Sequence, residues 1–357
     1  GFTIATVDPS LGVVVGNITY GNNATIVVNV NPGATGKVNI TVNGKSELVD
    51  IVNGRATLVL SGLAAGKYTV AVSYNGDGNF TAATANAEFT IAQISADMTV
   101  DVANITYGAD GTVTINANNR VNGKVNVTVN GTVYEVEIVN GKGTLTLSGL
   151  AAGSYTVTVD YKGDANFAGA TLNAAFVVSK AAPGMNVDVV TSDYGTTANV
   201  TVTVNDKATG NVTINVNGTD YVVAIVDGKA VLKLANLGAG KYAVAVSYPG
   251  STNFTAANIN TEFIVSKISP NMTVDVATVD KGGKANVTVT VNTKATGTVT
   301  ITIDGKDYVV GIVNGKATLM VSDLAVGNYT ATVNYAGDVN LIGENATANF
   351  AIGLIAP

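Results

Sequence analysis

The 357-residue chain contains no cysteine, no histidine and no tryptophan. The first absence excludes disulfide staples and thiolate metal sites. The second removes the imidazole on which triads, dyads and many metal centres depend. Charged residues are only 12% of the sequence and the formal net charge is -6, so there is no basic footprint for nucleic acid or for an anionic membrane. Long apolar runs are missing too. The mean hydropathy is +0.32, yet no stretch approaches the roughly 18 to 20 apolar residues that a spanning helix requires. The apolar content comes instead from Val, Ile and Ala alternating with Asn and Thr.

What the chain does have is a repeat. Leu63-Ala-Ala-Gly66-Lys-Tyr68 recurs as Leu150-Ala-Ala-Gly153-Ser-Tyr155, Leu237-Gly-Ala-Gly240-Lys-Tyr242 and Leu324-Ala-Val-Gly327-Asn-Tyr329, always 87 residues further on. Phe80, Phe167, Phe254 and Leu341 keep the same register, as do Gly21, Gly108, Gly195 and Gly282. No insertion or deletion is needed, which points to units that stack identically rather than to four diversified binding sites. Boundaries at Gln93, Lys180 and Lys267 give repeats at 7–93, 94–180, 181–267 and 268–354. Residues 1–6 are similar to Glu88–Gln93 and are expected to be the terminal strand of a preceding repeat. Residues 355–357 match Ile268-Ser269-Pro270, the start of a following one, so the sequence reads as part of a longer array.

Within repeat two, Met98 to Ile105 alternates apolar with polar, Tyr107-Gly108 to Gly111 is a turn, and Thr112 to Asn119 alternates again. Lys124 to Asn130 runs into Gly131, Thr132 to Val139 runs into Asn140-Gly141, and Lys142 to Leu147 follows. Asn-Gly between alternating runs specifies a hairpin turn with positive φ at both central residues. With Tyr155 to Tyr161 and Asn173 to Ser179, about seven strands and no helical period predict an all-β immunoglobulin-like sandwich, four in tandem. In such a sandwich Tyr68, Tyr155, Tyr242 and Tyr329 are placed to form a tyrosine corner, supported by Gly66, Gly153, Gly240 and Gly327. Sugar stacking on these rings is the alternative.

Leu-x-x-Gly-x-Tyr followed by Tyr161-Lys-Gly163-Asp164-Ala-Asn166-Phe167 resembles the prokaryotic Ig-like repeat of large surface proteins. The Asn/Thr-rich style is similar to the adhesin-like proteins of methanogenic archaea. That resemblance covers the whole chain and implies a spacer or adhesin body. Repeat three departs from it, with Pro249-Gly250-Ser251 where the others carry Gly-Asp.

Candidate chemistry is sparse. Calcium would need clustered carboxylates, but the Asp101, Asp188 and Asp275 series is broken by Val14, and that of Asp77, Asp164 and Asp338 by Ser251. Gln93 is the only glutamine, which removes a repeated ester cross-link. The Lys37 and Lys124 column continues as Asn211 and Thr298, which removes a repeated isopeptide. Fifteen Asn-x-Thr sequons occur, although strand alternation spells some automatically. The loop sequons at Asn79, Asn130 and Asn253 are the better glycosylation candidates. No nucleophile with a base and no phosphate loop is present, so no enzyme, cofactor or metal is expected.

The expected function is the structural stalk or adhesin body of an extracellular or cell-surface protein. With strands of about 27 Å, four repeats end to end would reach on the order of 150 Å. The expected partners are neighbouring repeats. The alternatives are a filament subunit assembling by strand exchange and a module binding a carbohydrate or a host or cell-surface protein. Nucleic acid and membrane insertion are not expected.

Overall fold

The computed structural model describes residues 4–354, and among these there is no helix. No helix is therefore long and apolar enough to cross a membrane. The chain divides into two compact units, one ending at Ser179 and the other beginning at Lys180. Each holds two repeats.

Repeat one comprises β1 (Gly12–Val15), β2 (Ile18–Thr19), β3 (Ala24–Asn29), β4 (Lys37–Val42), β5 (Lys45–Asp50), β6 (Arg55–Leu60), β7 (Gly66–Tyr74) and β8 (Ala83–Ala92). Three strands form one sheet in the order β1-β3-β6, and five form the other in the order β2-β8-β7-β4-β5. All pairings are antiparallel except β2 with β8. Repeat two follows the same plan with β9 (Thr99–Val102), β10 (Ile105–Thr106), β11 (Gly111–Asn116), β12 (Gly123–Val129), β13 (Thr132–Ile138), β14 (Lys142–Leu147), β15 (Gly153–Tyr161) and β16 (Ala170–Ser179). Repeats three and four each add a three-stranded and a five-stranded sheet in the same orders.

The strand number is eight per repeat rather than about seven, because the first alternating run breaks in two. Thr99–Val102 pairs with β11 in one sheet, whereas Ile105–Thr106 pairs in parallel with β16 in the other. At the break, the Asn104 Oδ1 accepts the Val177 N–H at 2.7 Å, as Asn17 accepts the Thr90 N–H. One segment thus lines the edges of both sheets, which leaves fewer backbone groups unpaired there.

Alternation decides what goes inside. On β3, Ala24, Ile26 and Val28 are buried between exposed neighbours; on β4, Val38, Ile40 and Val42 face them from the other sheet. Each such aliphatic side chain contributes about 1.5–3 kcal/mol when fully buried. The buried set of each repeat is hydrophobic throughout. Repeat three is less regular: Ser192 stands where Ile18, Ile105 and Val279 stand elsewhere, and its hydroxyl, like the Asn199 amide oxygen, is buried without a partner.

All eight Asn-Gly or Asp-Gly turns have the expected backbone, with φ of 44–52° at the first residue and 71–90° at the glycine. The terminal segments are different. Residues 4–6 lie in no strand, so the strand expected over 1–6 is not formed there; its first three residues, and the repeat start expected at 355–357, lie outside the described residues.

The two turns of repeat two differ in surroundings. A Cβ on Gly141 would fall 2.6 Å from the carbonyl oxygens of Ala117 and Asn118, whereas one on Gly131 meets nothing within 4 Å. Gly131→Ala is expected to cost about 1 kcal/mol for its positive φ alone. Gly141→Ala should cost about 2 kcal/mol more, because backbone must also move. Urea unfolding of the full chain, read through amide exchange in repeat two, checks the ordering.

Candidate functional site

The most regular constellation lies at one end of each sandwich. The Tyr68 hydroxyl donates to the Ala64 carbonyl at 2.9 Å; Tyr155, Tyr242 and Tyr329 donate to Ala151, Gly238 and Ala325 at 3.0 Å. Each ring also stacks on the Phe directly across the sheet, Phe89, Phe176, Phe263 or Phe350, with centroids 5.1–5.5 Å apart. A half-buried ring whose hydroxyl reaches back four residues is fixed in orientation by both ends. The neighbouring glycines are less constrained. Gly66 and Gly240 have φ of 155° and 157°, at the edge of the range that favours glycine, while Gly153 and Gly327 are not in the positive-φ set at all. A Cβ on Gly66, Gly153 or Gly240 meets nothing within 4 Å, so packing does not demand glycine there.

At the other end, the loop after β7 is held by one carboxylate. Asp77 Oδ1 accepts the N–H groups of Asn79 and Phe80, and Oδ2 accepts the N–H and the hydroxyl of Thr35, all within 3.0 Å. Asp338 does the same with Asn340, Leu341 and Thr296. In repeat two, Asp164 accepts Asn166 and Phe167, and Tyr161 donates to it at 3.1 Å. In repeat three the Ser251 hydroxyl accepts the N–H groups of Asn253 and Phe254 at a longer 3.4 and 3.3 Å. The backbone N–H of Asn79, then that of Thr35, holds the Asp77 carboxyl well below the usual carboxylate range. At Asp338 burial acts the other way, but the hydrogen bonds of Asn340 and Thr296 outweigh it and the pKa is likewise depressed. Burial, reinforced by the adjacent aspartates, pushes Tyr161 and Tyr335 up to about 12. These carboxylates spend their lone pairs on the chain's own donors. Among the described residues no three acidic side chains are grouped to hold a metal ion.

The loop so held presents an asparagine to the preceding repeat of the same unit. Asn166 Oδ1 accepts the N–H of Ala65, in the corner of repeat one, at 2.9 Å; Asn340 accepts the N–H of Ala239 at the same distance. The connecting residues pair with this loop as well. Ile94 N–H donates to the Asn166 carbonyl, Ala168 N–H returns to Ile94, and the Gln93 side chain donates to the Asp164 carbonyl at 2.6 Å. Lys267 donates to the Asp338 carbonyl in the second unit.

A cation and a ring close the other side of the junction. Tyr20 of repeat one meets Phe167 of repeat two edge-on at 5.6 Å, and the Arg120 guanidinium sits 5.7 Å from the Tyr20 centroid. In the second unit the Lys294 ammonium lies 5.0 Å from the Tyr194 ring. Such contacts contribute about 0.5–1 kcal/mol each at partly exposed sites. Tyr68 and Tyr242 therefore sit three residues from a backbone N–H that the second repeat of their unit captures. Asn166 was legible in the sequence as part of a motif, but the junction contacts of Asn166, Asn340, Tyr20 and Arg120 were not. Asn79, Asn166, Asn253 and Asn340 form an unbroken column, which is the signal that could have found them. Of the sequon residues, Asn79 and Asn130 are exposed and Asn253 is half-buried. The Asn130 amide oxygen accepts the Thr156 N–H at 2.8 Å.

Paired sheets of three and five strands, a switched first strand and a corner tyrosine define a tandem array of immunoglobulin-like sandwiches. The chain belongs to the family of bacterial Ig-like domains, group 3, which matches residues 11–92, 97–179 and 272–352, more than half of its length. No curated protein sequence matches it. Among solved structures it is similar to the immunoglobulin domains 1-5 of Sidekick-1, at 15% identity over 96% of this chain and 81% of that one, with a TM-score of 0.28. It is also similar to the fibronectin(III)-like modules of CbhA from Clostridium thermocellum, at 14% identity over 48% of this chain and 94% of that one, TM-score 0.20. The I9-I11 tandem of titin gives 10% identity over 72% and 99%, TM-score 0.25.

Two predictions follow from the corner and the loop. Tyr155→Phe keeps the stack on Phe176 and loses one hydroxyl, and is expected to cost about 1 kcal/mol; Tyr155→Ala loses both and should cost about 3 kcal/mol. Chemical denaturation measures the pair.

Acid should act unevenly. A depressed folded-state pKa gives stability that is present above about pH 4 and lost as pH falls through the carboxylate range. Amide exchange at pH 2–3 is therefore expected to accelerate around Asp77 and Asp338 more than around Ser251. At the alkaline end the raised tyrosine pKa values predict loss between about pH 10 and 12 around Tyr161 and Tyr335.

Proposed function

We propose that the chain is a structural spacer, the stalk or adhesin body of a protein that works at the cell surface or outside the cell. The observation that carries this reading is the junction itself. Within each unit successive repeats are joined without a flexible linker, and a side chain of the second repeat holds a backbone N–H in the corner of the first. A ring-and-cation contact braces the same joint. Such joints resist bending because several weak contacts must break together. The absence of any nucleophile and base pair in the sequence supports a role without catalysis. The likeness to adhesin-like surface proteins of methanogenic archaea supports an external location. Exposed sequons at Asn79 and Asn130 suit a chain that carries glycans.

The joint can be tested directly. Asn166→Ala combined with Arg120→Ala should leave both repeats folded, yet broaden the distance distribution between spin labels placed in repeats one and two. An unchanged distribution would remove the junction from the argument for stiffness. Location is tested by antibody labelling of intact cells of the producing organism, and labelling that appears only after lysis would overturn it.

A further inference from the structure

Repeat one carries a cleft beside a position where the other three repeats carry a tyrosine. Along the edge strand of the five-stranded sheet, Tyr134, Tyr221 and Tyr308 occupy the same register position, opposite Val127, Ile214 and Ile301. All three are half-buried, and Tyr134 packs against the core of its repeat. In repeat one that position, opposite Ile40, is Glu47, which is exposed. Where the ring is missing, a cleft of about 360 Å³ opens in the flank of the sandwich, with Leu58, Leu60, Leu63 and Tyr68 on its apolar side and Lys45 and Glu47 at its rim. Leu60 is half-buried there, whereas its counterparts Leu147 and Leu234 are buried.

We propose that this cleft receives an aromatic side chain, tyrosine or phenylalanine, carried on an extended segment of a partner protein that adds a strand beside β5. Three features select that occupant. Tyr134 fills the equivalent place in repeat two with a phenol ring, and Tyr221 and Tyr308 carry the same ring at the same register position. Lys306, which has the register position of Lys45, holds its ammonium 5.1 Å from the Tyr308 ring, so Lys45 stands where it can cover an incoming ring in the same way. A desolvated cation and ring attract each other electrostatically. Finally, β5 pairs only with β4 and ends its sheet, so its outer backbone groups can pair with a new strand. Alternate side chains of that strand would then point over the open flank. A phenol hydroxyl entering the cleft would meet the Glu47 carboxylate as acceptor.

The test uses the whole chain, isotopically labelled, and an acetylated, amidated pentapeptide with tyrosine at its centre flanked by valines. The peptide is expected to shift amide resonances of residues 45–47 and 58–63 and to leave the equivalent residues 132–134 and 145–150 unmoved. A peptide with alanine at its centre should bind at least about tenfold more weakly. Glu47→Tyr refills the cleft with the residue the other repeats carry, and should abolish the shifts while the remaining spectrum stays native. Lys45→Met should weaken binding about threefold without disturbing the fold. Equal shifts in all repeats, or binding that survives in Glu47→Tyr, would overturn the proposal. So would p-cresol binding as tightly as the peptide, since a free phenol rather than a strand would then be the ligand.

Discussion

A small sandwich is held in its interior by aliphatic packing, but its ends are loops, and loops keep a shape only if their backbone donors find acceptors. In this chain the loop after the seventh strand is closed by a carboxylate that accepts donors from both sides. Asp77 and Asp338 take two N–H groups from their own loop and a threonine from the loop across the sandwich. Where the carboxylate is present, this closure sets the loop from which the contacts to the neighbouring repeat are made. The same loop buries Phe80, Phe167, Phe254 or Leu341 in its own core. It pairs with the first residue of its repeat, Val7, Ile94, Ala181 or Ile268, and in Asn166 and Asn340 it offers the amide that reaches the neighbour.

The variations between repeats are informative because everything around them is constant. Repeat three has lost the carboxylate at Ser251 and an aliphatic core residue at Ser192, yet its strands keep the registers of the other repeats. The fold therefore tolerates local loss, as expected when burial of some sixteen apolar side chains per repeat outweighs any one hydrogen bond. Repeat one shows the complementary case. Exchanging a ring for Glu47 leaves the backbone pairing of β5 intact and changes only what the flank exposes, which is how a structural repeat can acquire a surface its siblings lack.

Much of this was legible in the residues themselves. The period, the sandwich class and the eight hairpin turns follow from local rules, because alternation and the positive φ of Asn-Gly act over a few neighbours. The split of Thr99–Val102 from Ile105–Thr106 was only half legible: the apolar phase slips by one residue between Val102 and Ile105, but that a slip means a change of sheet is decided by the presence of two sheet edges. The corner glycines recur in every repeat, but only Gly66 and Gly240 take a φ that side chains rarely adopt, while the backbone at Gly153 and Gly327 asks for no special conformation.

The sequence alone thus determined the unit, its length, its buried face and the chemistry it lacks, since composition and periodicity are properties of the chain taken a few residues at a time. The tertiary structure alone decided which polar groups became joints. Asn166 and Ala65 lie 101 positions apart, and nothing in their surroundings links them until two sandwiches are set end to end. Glu47 likewise became the lip of a cleft only because the opposite sheet left its flank open. Contacts between distant segments depend on how folded surfaces meet, and no local pattern encodes that.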